Sequence, residues 1–367
     1  MFKSSSTQSF AIIHSEKKNI IQSCYFLAVL GIAIFISSCQ KEALSNTNLN
    51  TNTSAASADA QSLTQQTPVI QYGATIDGPS TITVGSPSDL RFQIGIANQL
   101  GISCLREGIT VPNVHSKTVP ELNTKYKVLL HFNSPGNGIG IIPFRTDIAK
   151  YKRDLNNILN AFTTMPVVGI IENEESNRFY FSGSAQQYIT QLSAGIEVMH
   201  AHNVKVANGG ITSSGLNFLV YKDLRKQGKF DSARQFKRLA HVYPDSPSIQ
   251  NRAAFIDTLL TNYRTMNLDY VNFHWKDSFP STQVLNQTIN YLKKRTNKIV
   301  ISTEIGQLLP NPTVLTTHVQ LCVDQQMPYI MWYSPDINSG KRGTPLQYPD
   351  GTLTESGFAY QDFISRH

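Results

Sequence analysis

The feature that most limits what this chain can fold into is an alternation: between residues 70 and 365, eight short apolar runs are separated by longer amphipathic segments. Strands covered on both faces read as near-continuous apolar runs, and parallel strands need a crossover, usually a helix, to return, so the pattern points to parallel α/β architecture. The predicted strands cover residues 70–75, 102–106, 127–132, 167–171, 204–207, 268–273, 298–303 and 329–333. Helices are expected over 87–100, 146–161, 184–202, 282–294, 313–326 and about 355–365. The connection between the fifth and sixth strands is long and holds helical pieces near 220–241 and 247–264, as an insertion or an enlarged loop would. Eight strands with helices between them fit a single (β/α)8 barrel of the TIM type; an open doubly wound sheet is the alternative, because periodicity does not report closure. Gly73-Ala74-Thr75-Ile76-Asp77-Gly78 after the first strand lacks the spacing of a dinucleotide loop, and no cofactor is expected.

Two N-terminal stretches stand outside this pattern. Residues 1–38 read as a signal peptide: Lys17 and Lys18 precede the apolar run FLAVLGIAIFI, which ends in Ser37, Ser38 and Cys39. Ile36-Ser37-Ser38-Cys39 resembles the lipobox of bacterial lipoproteins, which implies acylation of Cys39, membrane attachment through that lipid and a place in the bacterial cell envelope, at the outer membrane or cell surface. A simple secretory peptide or a transmembrane anchor is the alternative. Residues 39–67 are rich in Ser, Thr, Asn, Gln and Ala, too poor in large apolar groups to offset ordering entropy, and read as a tether. The barrel is assigned to residues 68–367.

The formal charge is +7, falling to about +5 when the three Lys and one Glu before Cys39 are removed. The basic residues read as scattered, with no stripe interleaved with aromatics, so nucleic acid is not an expected partner. Cys104 and Cys322 lie among apolar neighbours and read as buried free thiols, with a bridge between them as the alternative. The nine histidines show no close pair of the His-Glu-x-x-His kind, and no metal is expected.

In a barrel of this kind chemistry is built at the C-terminal ends of the strands. Here those ends carry Arg106-Glu107, His131, Glu172-Asn173-Glu174, Asn208, His274-Trp275, Glu304 and Trp332. Taken in order, Asn173-Glu174 after the fourth strand and Glu304 after the seventh resemble the clan A glycoside hydrolases, the superfamily of cellulase-like and β-xylosidase-like barrels. The resemblance spans residues from about 70 to 365. It implies that Glu174 is the acid/base and Glu304 the nucleophile of a retaining enzyme acting on O-glycosidic, β-linked bonds of an oligo- or polysaccharide. Asn173, Arg106, His131, His274, Trp275 and Trp332 are then substrate-binding residues, with Arg106 keeping Glu304 ionised and Trp332 forming an aromatic platform. The family's proline after the Asn-Glu pair is replaced by Glu175, which leaves Glu172, Glu174 and Glu175 as candidates for the acid.

If the chain stays extended there, Glu172 and Glu174 share a face and Glu175 points away. Glu174 is the assignment, and a neighbouring carboxylate is expected to raise its pKa. A carbohydrate-binding barrel without catalysis is the competing function; a monomer is expected in either case.

Overall fold

In a computed structural model the strands pair in parallel and in chain order and close on themselves, as β1(Gln71–Ile76), β2(Cys104–Thr110), β3(Lys127–Asn133), β4(Val168–Ile171), β5(Lys205–Asn208), β6(Tyr270–Asp277), β7(Ile299–Gln307) and β8(Tyr329–Ser334). Closure is made by β1 on β8, in register from Gln71 opposite Tyr329 to Ile76 opposite Ser334. The single (β/α)8 barrel is therefore the fold, and the open sheet is excluded. The structure describes residues 69–112, 118–136, 140–277, 282–340 and 343–367, all within the unit Thr64–His367. The signal peptide, the tether and Cys39 lie outside the described residues.

Helices α1(Pro87–Leu100), α2(Thr118–Lys125), α3(Ile148–Leu159), α4(Ala185–Ala201), α5(Ser213–Lys226), α6(Phe230–Leu239), α7(Pro247–Tyr263), α8(Thr282–Thr296), α9(Pro312–Asp324) and α10(Glu355–Ser365) follow the strands. Their ends are written in the sequence. Ser86 accepts a bond from the Asp89 amide ahead of Pro87, and Ser184 with Gln187 forms a reciprocal capping box at α4; each such cap is worth about 1 kcal/mol. The predicted piece near 220–241 is two helices, divided at Gly228, whose φ of 73° ends α5. Helix α2 was not expected; its Pro120 sits in the first turn, where a missing amide costs no helical bond.

Alternation along the strands makes two apolar layers. Cys104, Leu129, Val168, Ile170, Ala207, Ile301 and Met331 fill the barrel interior, whereas Leu105, Leu130, Phe132, Ile171, Val271, Phe273, Ile330 and their neighbours pack outward against the helices. Cys104 lies in the inner layer and Cys322 in the outer one, and both are free thiols.

Candidate active site

Above the inner apolar layer the next inward positions are polar. Arg106 follows Cys104 on β2, His131 follows Leu129 on β3, and His274 and Lys276 follow Asn272 on β6. Arg106 is therefore inside a strand that continues to Thr110, four residues beyond the expected end. Its guanidinium spans the site: Nη1 donates to Glu304 Oε1 at 2.8 Å and Nη2 to Asn173 Oδ1 at 2.7 Å. Two backbone close approaches make room for the imidazoles. A Cβ on Gly108 would stand 2.3 Å from His131 Nε2, and one on Gly210, at φ 108°, 2.3 Å from His274 Nε2.

Glu304 reaches the site through a bulge. On the β6 side, Asn272 pairs with Ile301 but His274 pairs with Glu304; on the β8 side, Ser302 pairs with Ile330 but Ile305 with Trp332. In both ladders β7 spends one extra residue. Strict alternation from the inward Ile301 would turn Glu304 toward the helices, whereas the extra residue turns Glu304 inward and Ile305 outward. Asn272 holds this bulge: its Oδ1 accepts from Thr303 N at 3.0 Å and its Nδ2 donates to Thr303 Oγ1 at 2.8 Å.

The three glutamates after β4 separate, because the backbone does not stay extended. Glu172 and Glu174 have φ of 66° and 53°, left-handed conformations that cost a non-glycine residue about 1–2 kcal/mol each. Glu172 is fully buried and anchored by Ser134 N at 2.8 Å, Ser134 Oγ, and Gln191 Nε2 at 2.6 Å. Glu175 is buried on the opposite flank, where Oε1 accepts from Asn208 Nδ2 at 2.8 Å and from the Tyr263 hydroxyl at 2.9 Å. The expectation that Glu172 and Glu174 share a face is thus corrected. Of the three, Glu174 alone meets the partners of Glu304: His274 Nδ1 lies 3.2 Å from Glu174 Oε1 and 3.7 Å from Glu304 Oε2. Asn177 Nδ2 donates to Glu174 Oε2 at 2.7 Å.

The two carboxyls differ in charge environment. Burial pushes Glu304 up, but His274, Arg106 and Lys276, whose Nζ is 3.1 Å away, together hold it well below the usual carboxylate range. Burial also raises Glu174, and the hydrogen bond and charge of His274 outweigh it, so its net direction is downward. The neighbouring carboxylate of Glu304 does raise Glu174, as expected, but it is outweighed and the net direction is down. His131 is kept neutral by burial and by Arg106, its pKa pushed down to about 3.

Arg106, His131, Asn173, Glu174, His274 and Glu304 thus converge. Trp275 and Trp332 do not. They occupy outward positions on β6 and β8 and are 4% and 0% exposed, Trp332 packing against Tyr360 of α10. Alternation explains the correction: the neighbours His274 and Met331 point inward, so the tryptophans must point out. The aromatic residue at the site on β8 is Tyr333, with Lys276 Nζ 3.8 Å from its ring centroid. Lys276 and Tyr333 were overlooked, although each stands two residues beyond an inward position.

One ligand atom each from Glu174, His274 and Glu304 lies within 4.8 Å of the others, close enough to hold a metal ion. Arg106 and Lys276 already place two fixed cations on Glu304, so a divalent ion there would meet opposing charge.

No protein-family model matches the chain, and no curated protein matches it. Among solved structures, it is similar to a GH128 (subgroup VI) exo-beta-1,3-glucanase from Aureobasidium namibiae, with 13% identity over 80% of this chain and 96% of the other and a TM-score of 0.50. A GH128 (subgroup II) endo-beta-1,3-glucanase from Sorangium cellulosum matches with 12% identity over 79% and 97%, TM-score 0.50. A GH5_18 protein from Bifidobacterium longum subsp. infantis matches with 12% identity over 81% and 79%, TM-score 0.54. At these identities the likeness is one of fold, and this chain shares with these proteins the closed (β/α)8 barrel.

Proposed function

We propose that the chain is a retaining glycoside hydrolase that cleaves β-linked glucan by double displacement. The observation that carries the reading is the pairing of Glu174 with Glu304: carboxylate oxygens within 4.8 Å, in unlike surroundings. Retaining enzymes place these groups about 5–5.5 Å apart, whereas inverting ones leave room for a water between them. Glu304, charged and steadied by Arg106 and Lys276, attacks the anomeric carbon and forms a glycosyl ester. Glu174, protonated when substrate binds, gives its proton to the departing oxygen. It then takes a proton from the water that opens the ester, so the anomeric configuration is kept. A bound sugar that excludes water disfavours a second carboxylate beside Glu304, which favours the protonated form of Glu174. Asn173 and His131 supply polar contacts to sugar hydroxyls, and Tyr333 an aromatic face.

β-1,3-Glucans are the first substrates to test, because two of the structural neighbours are named as beta-1,3-glucanases. Export and acylation at Cys39 belong to the same proposal, supported by the order of basic, apolar and small residues before it. The test is hydrolysis of β-1,3- and β-1,4-glucan oligosaccharides by the wild type and by Glu174→Ala and Glu304→Ala. Both variants should fold and lose activity by about a thousandfold. Full activity in either one overturns its assignment, and a wild type that binds glucan without ever cleaving it makes the barrel a carbohydrate-binding protein.

A further inference from the structure

The connection from β5 to β6 holds three helices, whereas each of the other six connections between successive strands holds one among the described residues. Residues 213–239 carry seven cations, Lys222, Arg225, Lys226, Lys229, Arg234, Lys237 and Arg238, against Asp223 and Asp231, a net +5. Residues 69–367 have 28 Lys and Arg and 22 Asp and Glu, a net +6, so almost the entire charge excess of the barrel sits on this hairpin. The two acids are engaged, Asp231 with Arg234 and Asp223 with Lys294. The other six cations form no ion pair among the described residues. Lys222 and Arg225 lie instead over the rings of Phe218 and Tyr221, at 5.7 and 5.9 Å from the centroids. Basic and aromatic residues are therefore interleaved here, contrary to the scattered charge read from the sequence.

These side chains line a groove of ≈ 420 Å³ with Lys226, Phe230 and Pro244, within the size range of small-ligand sites. None of its lining residues belongs to the site around Glu304. We infer that this groove binds an acidic polysaccharide, whose carboxylates pair with Lys222, Arg225 and Lys226 while a pyranose face lies against the exposed ring of Phe230. Charge complementarity selects a polyanion: like charges held together without partners repel, and an anionic chain relieves that repulsion. Concavity and ring faces favour a sugar chain over a flat anionic bilayer. The choice of a glycan over a single-stranded nucleic acid rests on the proposed function.

The test is affinity electrophoresis of the full chain in gels containing polygalacturonate or alginate. Wild type and Glu304→Ala should be retarded equally, retardation should fade with added salt, and the triple variant Lys222→Ala/Arg225→Ala/Lys226→Ala should bind about tenfold more weakly. That variant should keep its melting temperature and its hydrolysis of neutral glucan. Phe230→Ser, at a ring 58% exposed, should weaken binding without unfolding. No retardation by either acidic glycan, equal retardation of the triple variant, or binding confined to anionic vesicles or single-stranded DNA overturns the inference. Hydrolysis without acidic-glycan binding removes the groove alone; binding without hydrolysis removes the enzymatic reading alone.

Discussion

Asn272 ties the Glu174 side of the site to the Glu304 side, and replacing it with alanine tests that link. Glu175 follows Glu174 and accepts from Asn208 Nδ2 at 2.8 Å; Asn208 Oδ1 accepts from Asn272 N at 2.7 Å. The Asn272 side chain then makes three bonds, to Thr303 N at 3.0 Å, Thr303 Oγ1 at 2.8 Å and Asn208 O at 3.2 Å. Thr303 Oγ1 lies 3.2 Å from His274 Nε2, which closes the circuit back to Glu174. Losing three buried bonds at about 1 kcal/mol each costs roughly 3 kcal/mol, or a fall in melting temperature of roughly 5 °C for a domain of this size. Relaxing the bulge also moves Glu304, and under the proposed mechanism a displacement of that order costs up to about a hundredfold in rate. Asn272→Ala assayed well below its melting point should therefore lose kcat by about ten- to a hundredfold with KM little changed. Asn272→Asp keeps the acceptor for Thr303 N but sets a buried carboxylate oxygen against the Asn208 carbonyl, so it should stay destabilised, and its added charge should move the acidic limb of kcat/KM upward. Wild-type kcat in a destabilised Asn272→Ala would show that the ladder holds the fold and does not position the chemistry.

Three further outcomes follow from the same contacts. Burial pushes Glu175 up to about 7; it stays protonated in the fold while the unfolded chain ionises, so its contribution is full below the ordinary carboxyl range and declines toward pH 7, by roughly 3 kcal/mol at most. Glu175→Gln keeps the acceptor for Asn208 and Tyr263, and thermal melts between pH 4 and 8 should show a smaller decline than in the wild type. Gly210→Ala drives a methyl into His274 at φ 108°, and should cost about 1–3 kcal/mol in chemical denaturation together with most of the activity, as His274 leaves Glu174. Trp332→Ala should destabilise by about 3–5 kcal/mol with KM unchanged in the folded fraction, whereas Tyr333→Ala should raise KM with little effect on melting; the reverse pattern would restore Trp332 as the platform.

The barrel was legible because its strands, covered on both faces, appear as apolar runs, and because Ser86-Pro87 and Ser184 mark helix starts. Helix α2 was missed since eight residues with an early proline carry little periodicity. The site was legible in its order along the chain more than in its aim. Alternation alone misdirects Glu304, which depends on a bulge that no residue type announces, and it misdirects Glu172, whose backbone is left-handed and whose carboxylate is bound by Ser134 and Gln191. In contrast, the same alternation separates Trp332 from Tyr333 and Trp275 from Lys276, because the inward Met331 and His274 fix which neighbour faces the site.

The central claim, that Glu304 is a nucleophile facing an acid/base at Glu174, is tested most directly by trapping. Incubation with an activated 2-deoxy-2-fluoro-β-glucoside slows the second displacement, so the glycosyl ester accumulates, and peptide mass spectrometry locates it. The account predicts a stoichiometric label on Glu304, absent in Glu304→Ala. Label on another carboxylate, or no label from an enzyme whose first product has the inverted anomeric configuration by NMR, contradicts it.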